Sequence, residues 1–138
     1  MLNQGWVYAV LALLCWGIWG FLPKLAVSEL DPRSVMLYQA LGVTAVGLVL
    51  LAVNGFPQWN QNGASYAFVT GVFGILGSLF FVRALSGEGK LSIFVTFTAL
   101  YPVISVALAV FILRENLSFK QWVACGFAAA SIVLFAVE

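Results

Sequence analysis

The chain has 138 residues, of which 63% are hydrophobic and 8% are charged, and its mean hydropathy is +1.06. Soluble domains carry roughly 25% charged residues, so this composition excludes an ordinary soluble domain. The formal net charge of +1 gives no basic surface for nucleic acid, and histidine, the commonest metal ligand, is absent. We predict an all-α integral membrane protein that binds no metal, no cofactor and no nucleic acid.

Long uncharged stretches predict where the chain crosses the membrane. Residues 1–23, 34–82, 91–113 and 121–137 carry no charge. A helix needs about 20 apolar residues to cross the hydrocarbon. The second stretch holds two spans, because Gly, Pro and Asn at 54–63 stop a helix. The sequence therefore predicts five transmembrane helices in one domain, residues 1–138, at about 5–26, 32–53, 64–85, 91–113 and 119–137.

Sequence signals at the predicted helix ends agree with these spans. Asp31 followed by proline is typical of an N-cap, and Asn54-Gly55 is typical of a C-terminal stop. Ser118 with Gln121 three residues later predicts a capping box that opens the last helix.

Charges at the span ends bias the orientation in the membrane only weakly. One face carries two basic residues and the other carries four (Arg114 and Lys120 against Lys24, Arg33, Arg83 and Lys90). The positive-inside rule predicts an external N-terminus and an internal C-terminus. Since the difference is two charges, insertion in both orientations, a dual topology, is compatible with the sequence.

The first span ends in a stripe of glycines below a lysine. Helical steps back from Lys24 lead to Gly20 and Gly17, with Trp16 alongside and Trp19 in the same segment. One interpretation is a crevice with a cation at its mouth, suited to an anionic solute. The other is close helix packing through glycine, with Lys24 extending to the interface. Pro23 is expected to bend this helix.

The remaining spans carry small residues and a few polar side chains. Gln39 lies about two turns into the second span, where its amide needs a partner from a neighbouring helix or a ligand. Gly71, Gly74 and Ser78 in the third span, and Gly126 in the fifth, predict close helix pairing.

The fourth span combines a proline with hydroxyl groups. Pro102 cannot donate to the carbonyl of Thr98, and Tyr101 and Ser105 lie on the same face. A freed carbonyl inside lipid must be satisfied by a neighbour, a water or a solute. A binding site and a purely structural kink are both open interpretations.

In order and spacing, these segments resemble an EamA repeat of the drug/metabolite transporter superfamily. The resemblance rests on Trp16-Gly17 with Lys24, on Ala84-Leu85-Ser86 followed by Leu100-Tyr101-Pro102-Val103, and on Leu113-Arg114-Glu115-Asn116-Leu117-Ser118 with Gln121-Trp122 and Gly126. Larger members carry two inverted five-helix repeats around a central site, so the resemblance implies an antiparallel homodimer. Many first repeats carry an arginine early in the second helix. Tyr38-Gln39 stands there in this chain, so that arginine's role does not carry over.

The leading functional hypothesis is a transporter of a small organic solute or metabolite that works as a dimer by alternating access. Its predicted substrate-binding residues are Trp16, Trp19, Lys24, Gln39, Thr98, Tyr101 and Ser105, and its predicted bending and packing residues are Gly17, Gly20, Pro23, Gly71, Gly74, Ser78, Pro102 and Gly126. We expect a multi-pass protein of the plasma (inner) membrane of a prokaryote, whose partners are lipid, substrate and a second copy. The alternative is a non-transporting membrane subunit. A four-helix multidrug exporter ranks lower, since that family has a carboxylate in its first helix. No nucleophile–base pair, phosphate loop or metal spacing indicates an enzyme.

Overall fold

The computed structural model describes residues 4–136, and these form six helices and no strand. The helices are α1 (Gln4–Glu29), α2 (Pro32–Asn54), α3 (Gln61–Leu85), α4 (Leu91–Thr98), α5 (Tyr101–Ile112) and α6 (Phe119–Ala136). By length and composition, α1, α2, α3 and the stretch Leu91–Ile112 can each cross a membrane. The fifth predicted span, 119–137, begins with α6 and extends past the last described residue.

Side-chain caps explain where several helices begin and end. A carboxylate oxygen of Asp31 accepts hydrogen bonds from the backbone N–H groups of Arg33 and Ser34, which opens α2 as the sequence predicts. Gly55 ends α2 with a φ of 74°, a conformation that glycine adopts without steric cost. The α3 helix begins three residues before the predicted 64, because the Asn60 side chain accepts from the backbone N–H of Gly63.

The capping box at the start of α6 has the predicted geometry. The backbone N–H of Ser118 donates to Oε1 of Gln121 at 2.7 Å, and the backbone N–H of Gln121 donates to Ser118 Oγ at 3.4 Å. These reciprocal bonds satisfy donors that a helix start leaves without an intrahelical partner.

The predicted fourth span, 91–113, is two helices in the structure, with the break at Ala99 and Leu100. Pro102 lies in the first turn of α5, where its missing N–H costs no helical hydrogen bond. The N–H of Leu100 donates to the carbonyl of Phe97, and that of Val103 donates to the carbonyl of Leu100. Each of these bonds reaches back three residues rather than four, so the backbone tightens at the break.

The chain divides into two compact units, unit 1 (Met1–Glu88) and unit 2 (Gly89–Glu138). In unit 1, the helices α1, α2 and α3 all contact one another, whereas in unit 2 α4 packs against α6. The buried residues lie in unit 1, among the described side chains: Gly20, Pro23, Val35, Ser78, Phe81, Val82 and Leu85. They come from the C-terminal halves of α1 and α3 and the first turns of α2, so these helices are packed together at one end.

The opposite ends of the same three helices are open. Residues 4–19, 41–54 and 61–74 include no buried side chain. Large apolar side chains there are exposed, as at Leu13 (68%) and Phe73 (70%). An apolar surface of this kind is stable against lipid or against another apolar protein surface, and not against water.

The Asp31 cap is expected to make the stability of the fold depend on pH in acid. Hydrogen bonds from the Ser34 side chain and from the backbone N–H groups of Ser34 and Arg33 lower the pKa of Asp31 from its ordinary value of 3.8. A lowered folded-state pKa stabilises the fold above the unfolded-state pKa, and the contribution is lost as pH falls through the folded-state value. We expect Asp31→Asn, which keeps a capping oxygen but does not titrate, to remove this acid-dependent component. The measurement is the unfolding temperature in detergent from pH 6 to pH 3. Parallel profiles for the two proteins would contradict it.

A second prediction concerns Arg114, which follows α5 with a φ of 56°. The backbone N–H groups of Leu113 and Glu115 both donate to the carbonyl of Ala109, which holds this turn closed. A non-glycine residue in the left-handed region costs about 1–2 kcal/mol, and glycine avoids this cost. Glycine also loses more conformational freedom on folding, which cancels part of the gain, so we expect Arg114→Gly to stabilise the fold by about 0.5–1 kcal/mol.

Unfolding by SDS in mixed micelles measures the effect of Arg114→Gly. The matched control is Arg114→Ala, which removes the same charge and keeps Cβ. Equal stability of the glycine and alanine variants would show that backbone strain is not the cause.

Candidate functional site in the first three helices

Gln39 is half-buried in unit 1 and reaches from α2 to α3. Its Nε2 donates to Oγ of Ser78 at 3.2 Å, and Ser78 Oγ in turn donates to the carbonyl of Gly74 at 3.0 Å. Of the two alternatives for its partner, the structure shows the neighbouring helix. Ser78 is only 6% exposed, so this short chain of hydrogen bonds is largely shielded. Within the described residues, Oε1 of Gln39 accepts no hydrogen bond and remains an open acceptor.

Trp19 connects α1 to α3 through an aromatic stack. Its ring lies 5.7 Å from that of Phe81, with an interplanar angle of 22°. Phe81 is buried, whereas Trp19 is 41% exposed. The stack therefore leaves part of the indole free for a further apolar contact.

Lys24 makes a second connection between α1 and α3. Its Nζ donates to the carbonyl of Leu85 at 3.0 Å, and the side chain is half-buried. Leu85 is the last residue of α3, where helical carbonyls lack an intrahelical donor and carry partial negative charge. Lys24 thus caps α3, which neither sequence interpretation of this residue had foreseen.

The three contacts use one face of α3. Ser78, Phe81 and Leu85 are spaced three and four residues apart, so they lie on the same side of the helix. We call these three residues the anchoring face. They receive Gln39 from α2 and both Trp19 and Lys24 from α1, which brings together three of the predicted substrate-binding residues. Trp16 lies on α1 and is 61% exposed.

The other three predicted substrate-binding residues belong to unit 2. The Thr98 hydroxyl donates to the carbonyls of Phe94 and Val95, and Ser105 Oγ donates to the carbonyl of Tyr101. Tyr101 is the first residue of α5 and is 53% exposed. The Thr98 and Ser105 hydroxyls can still accept hydrogen bonds, because each donates its one proton within its own helix. Their role in binding stays a prediction.

Seven of the eight predicted bending and packing residues fall into two groups, and the eighth, Pro102, lies in the first turn of α5. Gly20, Pro23 and Ser78 are buried in unit 1, and Pro23 lies inside an α1 that continues to Glu29. A Cβ added at the others would meet no neighbouring atom within 4 Å in the described part of the chain: Gly17, Gly71, Gly74 and Gly126. Their smooth surfaces are therefore open to another apolar protein surface or to lipid.

Sequence reasoning did not assign Phe81 or the Leu85 carbonyl to the site. Phe81 is one of twelve phenylalanines, and nothing in its neighbours distinguishes it from the others. The spacing of Phe81 and Leu85 from Ser78 was the available signal, since it places all three on one helical face.

The helices and their composition define a multi-pass, all-helical membrane protein. The chain belongs to the EamA-like transporter family, whose model matches residues 3–137. It is similar to an uncharacterized protein of Methanocaldococcus jannaschii, with 29% identity over 137 residues that cover 96% of each chain. No solved structure matches it. Membership of this family gives the protein a membrane transporter-like function.

The Gln39–Ser78 bond can be tested by a double-mutant cycle. Such bonds within membranes average roughly 0.6 kcal/mol, so we expect Gln39→Ala and Ser78→Ala to couple by about that amount. The readout is SDS unfolding. Thr44→Ala is the matched control on α2, because the Thr44 hydroxyl donates only to its own helix, at Ala40. If Thr44→Ala coupled to Ser78→Ala as strongly as Gln39→Ala does, the interhelical bond would be refuted.

Proposed function

We propose that the protein carries a small organic solute or metabolite across the plasma membrane of a prokaryote, and that it does so as an antiparallel homodimer by alternating access. The observation that carries this proposal is the one-ended packing of unit 1. Its helices are joined along the anchoring face, whereas residues 4–19, 41–54 and 61–74 present open apolar and glycine surfaces. A second copy would cover such surfaces.

The glycines on these surfaces favour contact with another protein and not only with lipid. Helix association in membranes is driven by close backbone approach, which small residues permit, since lipid is as apolar as leucine. Gly42 and Gly47 on α2, like Gly71 and Gly74 on α3, have open space where a side chain would be. Transporters often place their sites between inverted repeats. The weak charge bias supports the antiparallel arrangement, because both orientations of one chain must then insert.

Groups suited to holding a solute lie where the open surfaces of unit 1 meet its packed end. The open Oε1 of Gln39 can accept from an N–H or O–H group, and the exposed part of Trp19 can cover an organic surface. Both residues are positioned by contacts with α3. Ligand sites commonly combine an apolar wall with a few placed polar groups of this kind.

Alternating access requires contacts that break and re-form. The links at the anchoring face are one amide–hydroxyl bond, one ammonium–carbonyl bond and one aromatic stack. A typical hydrogen bond contributes about 0.5–1.5 kcal/mol net, so a bound solute can supply the energy to exchange it. Unit 1 is therefore suited to opening at the end that is closed in this structure.

Transport by purified protein in liposomes tests the function. We expect uptake above empty vesicles for at least one solute in a panel of amino acids, metabolites and organic ions. We also expect a lower rate for Gln39→Leu, which replaces the amide with an apolar side chain. Thr44→Val is the control, because it removes a hydroxyl that bonds only its own helix. No flux from any member of the panel would overturn transport.

Crosslinking in native membranes tests the assembly in the same preparation. Adducts between two copies alone, with reporter fusions at the C-terminus detected on both faces, support the antiparallel dimer. A constant adduct with a different protein supports the non-transporting subunit instead. A reporter found on one face only would overturn the antiparallel arrangement.

A further inference from the structure

The Lys24 ammonium is only partly compensated by its surroundings. It donates to one neutral acceptor, the carbonyl of Leu85, and within residues 4–136 it has no other hydrogen-bond partner and no ion pair. An ammonium carries three N–H donors, so two remain. Glu29 and Glu88 are the acidic residues closest to this contact along the chain, and neither forms an ion pair with Lys24.

The apolar stretches of unit 1 offer Lys24 no negative charge. Residues 1–23 and 34–82 contain no Asp or Glu, and all five acidic residues of the chain lie at helix ends, in turns or at position 138. A half-buried charge in a membrane protein is costly unless it is paired, and such residues commonly mark solute pathways. The partial negative charge at the end of α3 supplies only part of that compensation.

Lys24 also lies in line with the other contacts of the anchoring face. It meets α3 at Leu85, Trp19 meets it at Phe81, and Gln39 meets it at Ser78. Ser78 and Leu85 are seven residues apart, which corresponds to about 10 Å along a helix. A cation, an aromatic surface and an open amide oxygen thus follow one another along one side of α3.

We infer that the solute carried by this protein bears a carboxylate, which Lys24 binds, joined to an apolar or aromatic body that lies against Trp19. A hydrogen-bond donor on that body would suit the open acceptor at Gln39 Oε1. This inference rests on the proposed transport function and adds the substrate class. The same charge disfavours organic cations, since residues 1–23 and 34–82 of unit 1 hold no carboxylate to bind them.

Capping of α3 alone does not require a charged side chain. A neutral amide also donates to a helix C-terminal carbonyl, so Lys24→Gln retains a donor and removes the charge. Lys24→Arg keeps the charge and adds donors. The pair separates anion binding from helix capping. Lys120→Gln is the matched control, because Lys120 is an exposed lysine of unit 2.

Binding is measured with three probes of the same size: 3-phenylpropionate, 3-phenylpropionamide and 3-phenylpropylamine. The readout is the concentration dependence of the unfolding temperature of the purified protein in detergent. We expect the carboxylate to bind at least roughly tenfold more tightly than the amide, as a charge-assisted bond implies, and the amine to give no stabilisation. Lys24→Gln should remove the preference for carboxylate, whereas Lys24→Arg and Lys120→Gln should retain it.

Two results would overturn the inference. One is equal stabilisation of the unsubstituted protein by carboxylate and amide, a comparison that needs no variant to fold. The other is a carboxylate preference that survives in Lys24→Gln. Flux of an amide or amine without carboxylate binding would remove the substrate class and leave transport standing. Carboxylate binding with no flux of any solute would remove transport and leave the anion site.

Discussion

Packing against the C-terminal half of α3 holds unit 1 together. The residues buried there include Val82 and Leu85, which have no exposed surface, and the anchoring face adds one polar, one aromatic and one backbone contact. Both α1 and α2 reach this segment from far along the chain. Lipid packs against apolar side chains as well as another helix does. The hydrogen bonds and the aromatic stack, which lipid cannot provide, therefore favour this arrangement of the helices.

The hydrogen bonds of unit 1 also follow from its lipid surroundings. In hydrocarbon, a polar group without a hydrogen-bond partner costs roughly several kcal/mol, so each polar side chain inside a span must find a partner. Thr44, Ser65 and Thr70 satisfy this locally, by donating to the carbonyl four residues earlier. Gln39 and Lys24 instead use another helix. Gln39 and Lys24 therefore help to determine which helices pack together, whereas the hydroxyls that bond within their own helix do not.

The ends of the elements were predictable because their causes are local. The caps at Asp31 and Gly55, and the reciprocal bonds of Ser118 and Gln121, each involve residues within four positions of each other. The break before α5 follows similarly from Pro102. The three-residue error at the start of α3 also has a local cause, since Asn60 was assigned to the turn and not recognised as a cap.

The site was predictable only as a set of candidates. The sequence marked Trp19, Lys24 and Gln39 as unusual residues in apolar spans, and the structure brings all three onto α3. Their partners lie 39 to 62 positions away along the chain, as with Gln39 and Ser78 or Lys24 and Leu85. Helical periodicity fixes which residues share a face, but it contains no information on which helix that face meets.

Lys24 shows how one residue can serve stability and selectivity together. As a donor to the end of α3 it fixes α1 against that helix, which sets the position of Trp19 one turn earlier. As a cation beside apolar stretches, residues 1–23 and 34–82, that hold no carboxylate, it would make the same region attractive to an anion. A bound carboxylate would use the two N–H donors that the Leu85 carbonyl leaves free. The helix contact and the solute charge would then meet at a single side chain.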